Sequence, residues 1–147
     1  SFKEISEQLG SGVTDKVPAR GLAVGDFDND GDLDLLVNCI NAPPQLLRCD
    51  TAAKNNWIKI KCVGTKSNRT AIGARVTCEA GGRKQVDEVR SGGSYLSQHD
   101  LRIHFGLGSA DGAKITVHWP SGVVDQVKLD TVDRIVTIVE GRGLVTA

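Results

Sequence analysis

The sequence predicts an all-β chain: a small β-unit built on an acidic loop, followed by a β-sandwich or small barrel. Three observations predict this. Short runs rich in β-branched residues are separated by Gly-rich turns, such as Gly81-Gly82 and Ser91-Gly92-Gly93-Ser94. An acidic run, Asp26 to Asp34, leads straight into the apolar stretch Leu35-Leu36-Val37, and no amphipathic helix flanks it. After residue 56 the pattern becomes a clean alternation of apolar and polar positions. The expected organisation is a first β-unit over residues 1–50, a polar linker over 51–55, a second β-domain over 56–141 and a tail over 142–147.

In chain order, Phe2 to Ile5 reads as a short strand, followed by polar turn residues to Gly12. Val17 precedes Pro18 and so stays extended. Leu22 to Val24 make a strand into the acidic run, and Leu33 to Asn38 make the next, apolar on both faces as in a buried sheet. Ala42-Pro43-Pro44 turn the chain, and Gln45 to Arg48 return antiparallel. Ile58, Ile60 and Cys62 share one face, with Lys59 and Lys61 on the other. Ala74, Val76, Cys78 and Ala80 alternate in the same way, and Gly81-Gly82 makes a hairpin turn. The return over 83–90 alternates too poorly to fix a register. Leu101, Ile103 and Phe105, then Ile115, Val117 and Trp119, mark two further strands, and Val123 to Leu129 and Ile135 to Val139 are the last two.

The acidic run carries the most specific chemistry. Asp26, Asp28, Asp30, Asp32 and Asp34 occupy alternate positions. Five like charges would push a loop open in water, and a hard cation reverses that. Oxygens two residues apart can curl around one ion: Asp26, Asp28 and Asp30 fit the first, third and fifth positions of a calcium loop. Gly31 stands where such a loop turns sharply, Asp32 would offer its backbone carbonyl, and Asp34 takes the ninth position. The twelfth position is Val37 rather than the bidentate Glu of a helical hand, so the loop runs into a strand. A solvated acidic turn is the plainer reading, but turn chemistry does not ask for five aspartates in register with a glycine.

The stretch Arg20-Gly21-Leu22-Ala23-Val24-Gly25, with the loop and Leu33-Asp34-Leu35-Leu36-Val37, resembles the FG-GAP, or VCBS, repeat. In that family each repeat is a propeller blade whose loop binds Ca2+, so the resemblance implies that residues 1–50 are one β-propeller-type blade with a calcium loop. The resemblance implies side-chain ligation by Asp26, Asp28, Asp30 and Asp34, and carbonyl ligation by Asp32. The second half also resembles a known family. Gly64-Thr65-Lys66-Ser67-Asn68-Arg69, Ile72-Gly73-Ala74-Arg75-Val76, Arg90-Ser91-Gly92-Gly93-Ser94-Tyr95-Leu96-Ser97-Gln98, His104-Phe105-Gly106-Leu107-Gly108 and Trp119-Pro120-Ser121-Gly122 are similar to motifs of the ASPIC/UnbV domain. That domain follows FG-GAP repeats at the C-terminus of larger secreted proteins. A lone blade has no neighbours to cover its edges, and no second acidic loop occurs, so the expectation is the C-terminal part of a longer repeat protein, or a blade that packs on the domain after it.

Lys plus Arg number 18 and Asp plus Glu number 18, a balance that argues against a nucleic-acid partner. No apolar run is long enough for a transmembrane segment. Cys39, Cys49, Cys62 and Cys78 lack zinc-site spacing and read as two disulfides or four buried thiols; calcium sites of this kind favour a secreted or cell-surface setting, periplasmic or outer-surface in a bacterium. Ser91, Ser94, Ser97, His99, Asp100 and His104 invite a hydrolase reading, but no nucleophile elbow accompanies them. His99, His104 and His118 read more simply as surface residues than as a metal site, and Asn68-Arg69-Thr70 is a glycosylation sequon. The polar loops Gly64 to Thr70 and Arg90 to Gln98 offer Arg69, Arg90 and Tyr95 as interface anchors. The expected function is a noncatalytic extracellular calcium-binding interaction or adhesion module. Its partner, a protein or a glycan surface ligand, and its oligomeric state are left open. The alternatives are a glycan-binding module, against which the 4% aromatic content counts, and a hydrolase using Ser94 and His104.

Overall fold

A computed structural model describes residues 2–50 and 55–145. Strand is the dominant element, and no described helix is long and apolar enough to cross a membrane. The chain divides into two compact units, residues 1–50 with 92–99, and residues 51–91 with 100–147. The expected 51–55 linker lies outside the described residues except for Asn55.

The first unit is built on a three-stranded antiparallel sheet of β1 (Ala19–Gly25), β2 (Asp34–Cys39) and β3 (Gln45–Leu47), in that order. Phe2 to Ile5 form no strand: Phe2 is fully exposed, and a 3-10 turn over Ser6–Gln8 and a one-turn helix α1 (Ser11–Thr14) follow. The reading of β2 as apolar on both faces is corrected. Leu36 opposes Ala23 and Leu46 across the sheet, and Leu36 and Leu46 are exposed, so one face of the three strands is open. A small hairpin from later in the chain, β7 (Gly93–Ser94) with β8 (Ser97–Gln98), completes this unit along β1.

The second unit is a sandwich of two four-stranded sheets, and neither closes into a barrel. One has the order β11-β10-β5-β6, with β5 (Arg75–Ala80), β6 (Arg83–Glu88), β10 (Ala113–His118) and β11 (Val124–Leu129). The other has the order β13-β12-β4-β9, with β4 (Asn56–Val63), β9 (Ile103–Gly108), β12 (Arg134–Val139) and β13 (Gly143–Val145). Gly143–Val145, read from sequence as tail, thus pair with β12. β4 and β12 pair in parallel, joining strands far apart in sequence.

The alternating positions supply the core. Ile58, Ile60, Ile103, Phe105, Val136 and Ile138 come from one sheet, and Val76, Cys78, Ile115, Val117, Val127 and Leu129 from the other. Burying a side chain of this size stabilises by about 1.5–3 kcal/mol, so this face drives the second unit's folding. The weakly patterned 83–90 stretch pairs Arg75 with Glu88 and Ala80 with Arg83; Gln85 faces inward and donates from Nε2 to the Gly106 carbonyl, which explains its poor alternation. Lys59 departs from expectation. It lies opposite His104 on the face away from the core, yet is 1% exposed, with Nζ 5.9 Å from the Trp57 ring centre. No disulfide joins the four cysteines; Cys39, Cys62 and Cys78 are buried and Cys49 is half-buried.

Candidate metal centre and binding loops

β1 ends at Gly25 and β2 begins at Asp34, and the acidic run is the connection between them. Asp26 and Asp34 are 1% and 2% exposed, an unusual burial for carboxylates. Each is wrapped in backbone donors. Asp26 accepts the Asp30 N–H on Oδ1 and the Gly31 N–H on Oδ2, both at 3.1 Å. Asp34 accepts the Phe27 N–H at 3.0 Å and the Cys49 N–H at 2.9 Å. These bonds coil the loop back on itself. Gly31 completes the coil at φ 101, a region that side chains with a Cβ avoid.

Asp28 joins this pair. Asp26, Asp28 and Asp34 each offer a carboxylate oxygen, and these atoms all lie within 4.8 Å of one another, an arrangement that could hold a metal ion. Three hard anionic oxygens around one point suit a divalent cation of the calcium class. The basic group beside them is Arg48, 3.9 Å from Asp28 but held closer, at 2.7 Å, by Asp50. Asp30 uses Oδ1 to accept the Asp32 N–H and stands outside the converging three, as does the side chain of Asp32.

Ser94, Ser97 and His99 have a structural use. β1 is an edge strand, and two of its backbone donors meet side chains of the hairpin: Leu22 N–H donates to Ser94 Oγ and Val24 N–H to His99 Nδ1, both at 3.1 Å. Such pairing covers an otherwise open edge. Gly21 makes the approach possible, since a Cβ there would stand 2.4 Å from Ser97 Oγ and 2.7 Å from the Tyr95 carbonyl oxygen. At the hairpin tip Tyr95 is 66% exposed and Leu96 is 87% exposed, with φ 45.

His104 belongs to the other unit, where it stacks on Trp57 at 6.0 Å between ring centres. Ser94 and His104 are thus parts of separate units, each with its own partners. Nearby, Arg102 holds Asp100 through paired contacts of 2.7–3.0 Å. Burial opposes ionisation of Asp100, but hydrogen bonds from Arg102 and the charges of Arg102 and Lys59 keep its carboxyl below the ordinary range. His118 is exposed on β10.

The polar loop over 64–70 is organised by a residue that no local motif marks. Glu140 is 2% exposed. One carboxylate oxygen accepts the N–H groups of Thr65, Lys66 and Ser67, each at 2.7 Å. The other accepts the hydroxyls of Ser67, at 2.9 Å, and Ser121. Burial pushes the Glu140 pKa up, and these hydrogen bonds overcome it, bringing the carboxyl from 4.5 down to about 2. Asn68 is spent on the same loop: its side chain accepts from Thr70 Oγ1 and Ile72 N–H and donates to the Ile72 carbonyl. Arg69 stays exposed on this loop, and Arg90 lies 2.5 Å from Asp87; both belong to the second unit, whereas Tyr95 belongs to the first.

Comparison with known proteins fits this architecture. The family model described as ASPIC and UnbV matches residues 64–145, more than half of the chain. The chain belongs to the ASPIC and UnbV family. It is also similar to cartilage acidic protein 1 of Xenopus tropicalis, at 32% identity over 126 residues, covering 80% of this chain and 19% of that protein. The human protein of the same name is 31% identical over 124 residues, covering 79% and 18%, and the mouse protein is 31% identical over the same length. The chain therefore spans about a fifth of the length of these relatives. In this ASPIC and UnbV chain the matched segment takes in the Glu140-centred loop, the β7–β8 hairpin and most of the sandwich.

Proposed function

We propose that this chain is a noncatalytic extracellular interaction module whose first unit is fixed by Ca2+. Asp26, Asp28 and Asp34 would hold the ion, with Asp30 and the Asp32 carbonyl as further ligands of the same loop. The observation that carries this is the convergence of three carboxylates, two of them almost wholly buried. Bound calcium would supply charge neutralisation and no reaction chemistry. The chain's own residues do the rest: backbone N–H groups orient Asp26 and Asp34, and Ser94 and His99 cap the edge of β1.

The reading includes an FG-GAP blade over 1–50, an ASPIC/UnbV domain over 56–141 and a place at the C-terminal end of a larger repeat protein. The relatives carry cartilage in their name, which supports an extracellular or cell-surface setting for this chain. The engagement of Ser94 Oγ and the stacking of His104 support binding over hydrolysis.

Scanning calorimetry with millimolar calcium and with chelator tests the calcium reading. The expected result is a calcium-dependent rise in Tm that disappears in an Asp28→Ala, Asp34→Asn double variant. Equal Tm in calcium and chelator would overturn it. Labelling of Ser94 by a serine-reactive probe, lost in Ser94→Ala, would revive the enzyme reading.

A further inference from the structure

We propose that the β7–β8 hairpin is a pH-gated clasp on the edge of β1, opened by protonation of His99. The proposal goes beyond the calcium reading and does not rest on it. The hairpin holds β1 through two side chains of different chemistry. Ser94 Oγ accepts the Leu22 N–H and His99 Nδ1 accepts the Val24 N–H, both at 3.1 Å. A hydroxyl oxygen keeps its lone pairs at any pH, so the Ser94 bond is indifferent to acid. Nδ1 has one lone pair and accepts only while it carries no hydrogen. The bond to Val24 therefore fixes the neutral ring as the tautomer with its proton on Nε2.

Histidine is the side chain whose charge changes between about pH 5 and 8. In the imidazolium both ring nitrogens carry hydrogen, so a half-turn of the ring brings no acceptor back. Val24 N–H then faces a donor, and the edge loses a hydrogen bond. The ring is seated against Gly93, where an added Cβ would stand 2.4 Å from Nε2 and 2.5 Å from Cδ2, so imidazole and hairpin backbone are in close contact. His99 is half-buried, which leaves the ring within reach of solvent protons.

The elements packed against His99 are β1 and β7. β1 carries Arg20 and leads into the acidic run after Gly25, and β7 carries no ionisable side chain. Tyr95 stands at the hairpin tip, and Asp100, next in the chain, is held by Arg102. Carboxylates, guanidinium groups and phenols as classes keep one charge state across the histidine range, so His99 is the member of this set that switches. His104 and His118, the other two imidazoles of the chain, belong to the other unit. Opening bares the Val24 N–H near the end of β1 and leaves the hairpin on the Ser94 bond alone. The exposed Tyr95 and Leu96 ride on that hairpin. Acid thus alters a strand edge and an apolar tip together, both of them features through which a partner can engage.

The test is amide exchange by NMR on the whole chain in calcium, at about pH 8 and about pH 5, the two ends of the histidine range. Each rate is divided by the intrinsic rate at its own pH, and the nitrogen shifts of the His99 ring are followed in the same samples. The expected result is a neutral ring with its proton on Nε2 at the upper end and a doubly protonated ring at the lower. Val24 protection should fall by about fivefold over that titration, the worth of one hydrogen bond, while Ile115 to Val117 keep theirs. His99→Asn supplies an acceptor that does not titrate and should hold Val24 protection level across the range. His99→Phe should lower it at both ends. The parent titration decides even where a variant fails to fold. Equal Val24 protection at both ends in the parent, a loss that does not follow the ring nitrogens, or the same loss in His99→Asn would overturn the proposal. A loss at Val24 that follows the ring, found together with no calcium effect on Tm, would keep the clasp and sink the calcium reading alone.

Discussion

The two units bury opposite kinds of side chain. In the sandwich the buried set is an unbroken apolar cluster from Ile58 to Ile138. In the unit of residues 2–50 and 92–99, the fully buried described residues are Gly21, Asp26, Gly31, Asp34 and Cys39. One unit is held by removal of hydrocarbon from water, which needs no ligand. The other gathers carboxylates around a coil of backbone donors, and such a gathering is costly unless something positive meets it. On the calcium reading proposed above, an ion would do for the first unit what the hydrophobic core does for the second.

The largest effect that would sharpen this contrast is in the core. Ile115→Ala should destabilise the sandwich by about 2–5 kcal/mol in chemical denaturation, by the same amount in calcium and in chelator. Next comes the calcium loop. With the ion at a hundred times its dissociation constant, the first unit should gain about 2.7 kcal/mol, and Asp28→Asn should lose that gain. A calcium-independent Asp28→Asn phenotype would break the comparison.

Glu140 gives a pH signature confined to the sandwich. Its folded-state pKa is depressed to about 2, so the stability it contributes is present above about 4.5 and lost as pH falls toward 2. Acid titration of thermal unfolding should show that loss in the parent chain. Glu140→Gln should lower Tm at neutral pH and flatten the slope between those two values. The edge cap is smaller. Ser94→Ala removes one acceptor and should cost about 1 kcal/mol, seen as faster amide exchange at Leu22 with no change in the sandwich. The smallest readout is thiol reactivity. Burial pushes the Cys62 and Cys78 thiols up to about 12 and 11, so alkylation at pH 8 should reach them only when the sandwich opens.

Much of this was legible from spacing alone. The alternation of Ile58, Ile60 and Cys62, and of Ile115 and Val117, places the sandwich strands because a half-buried sheet leaves a period of two. The alternate aspartates from Asp26 to Asp34 mark the corner for a different reason: side chains two or more apart in a tight coil can share a centre. Three things were not legible. Leu36 looks buried because apolar character says nothing about whether a face has a cover. Lys59 looks exposed because alternation gives a face, not its depth. Glu140 and its loop are 73 to 75 residues apart, and a carboxylate filling a ring of backbone N–H groups leaves no local pattern. The parallel pairing of β4 with β12 was hidden by the same distance.

Amide hydrogen exchange followed residue by residue, in calcium and in chelator, tests the central contrast most directly. The account predicts that removing calcium exposes the amides of Asp30 and Gly31 and those along β1 and β2, while Ile58 to Val63 and Ile115 to Val117 keep their protection. Identical protection of the 19–39 segment in both conditions would contradict it.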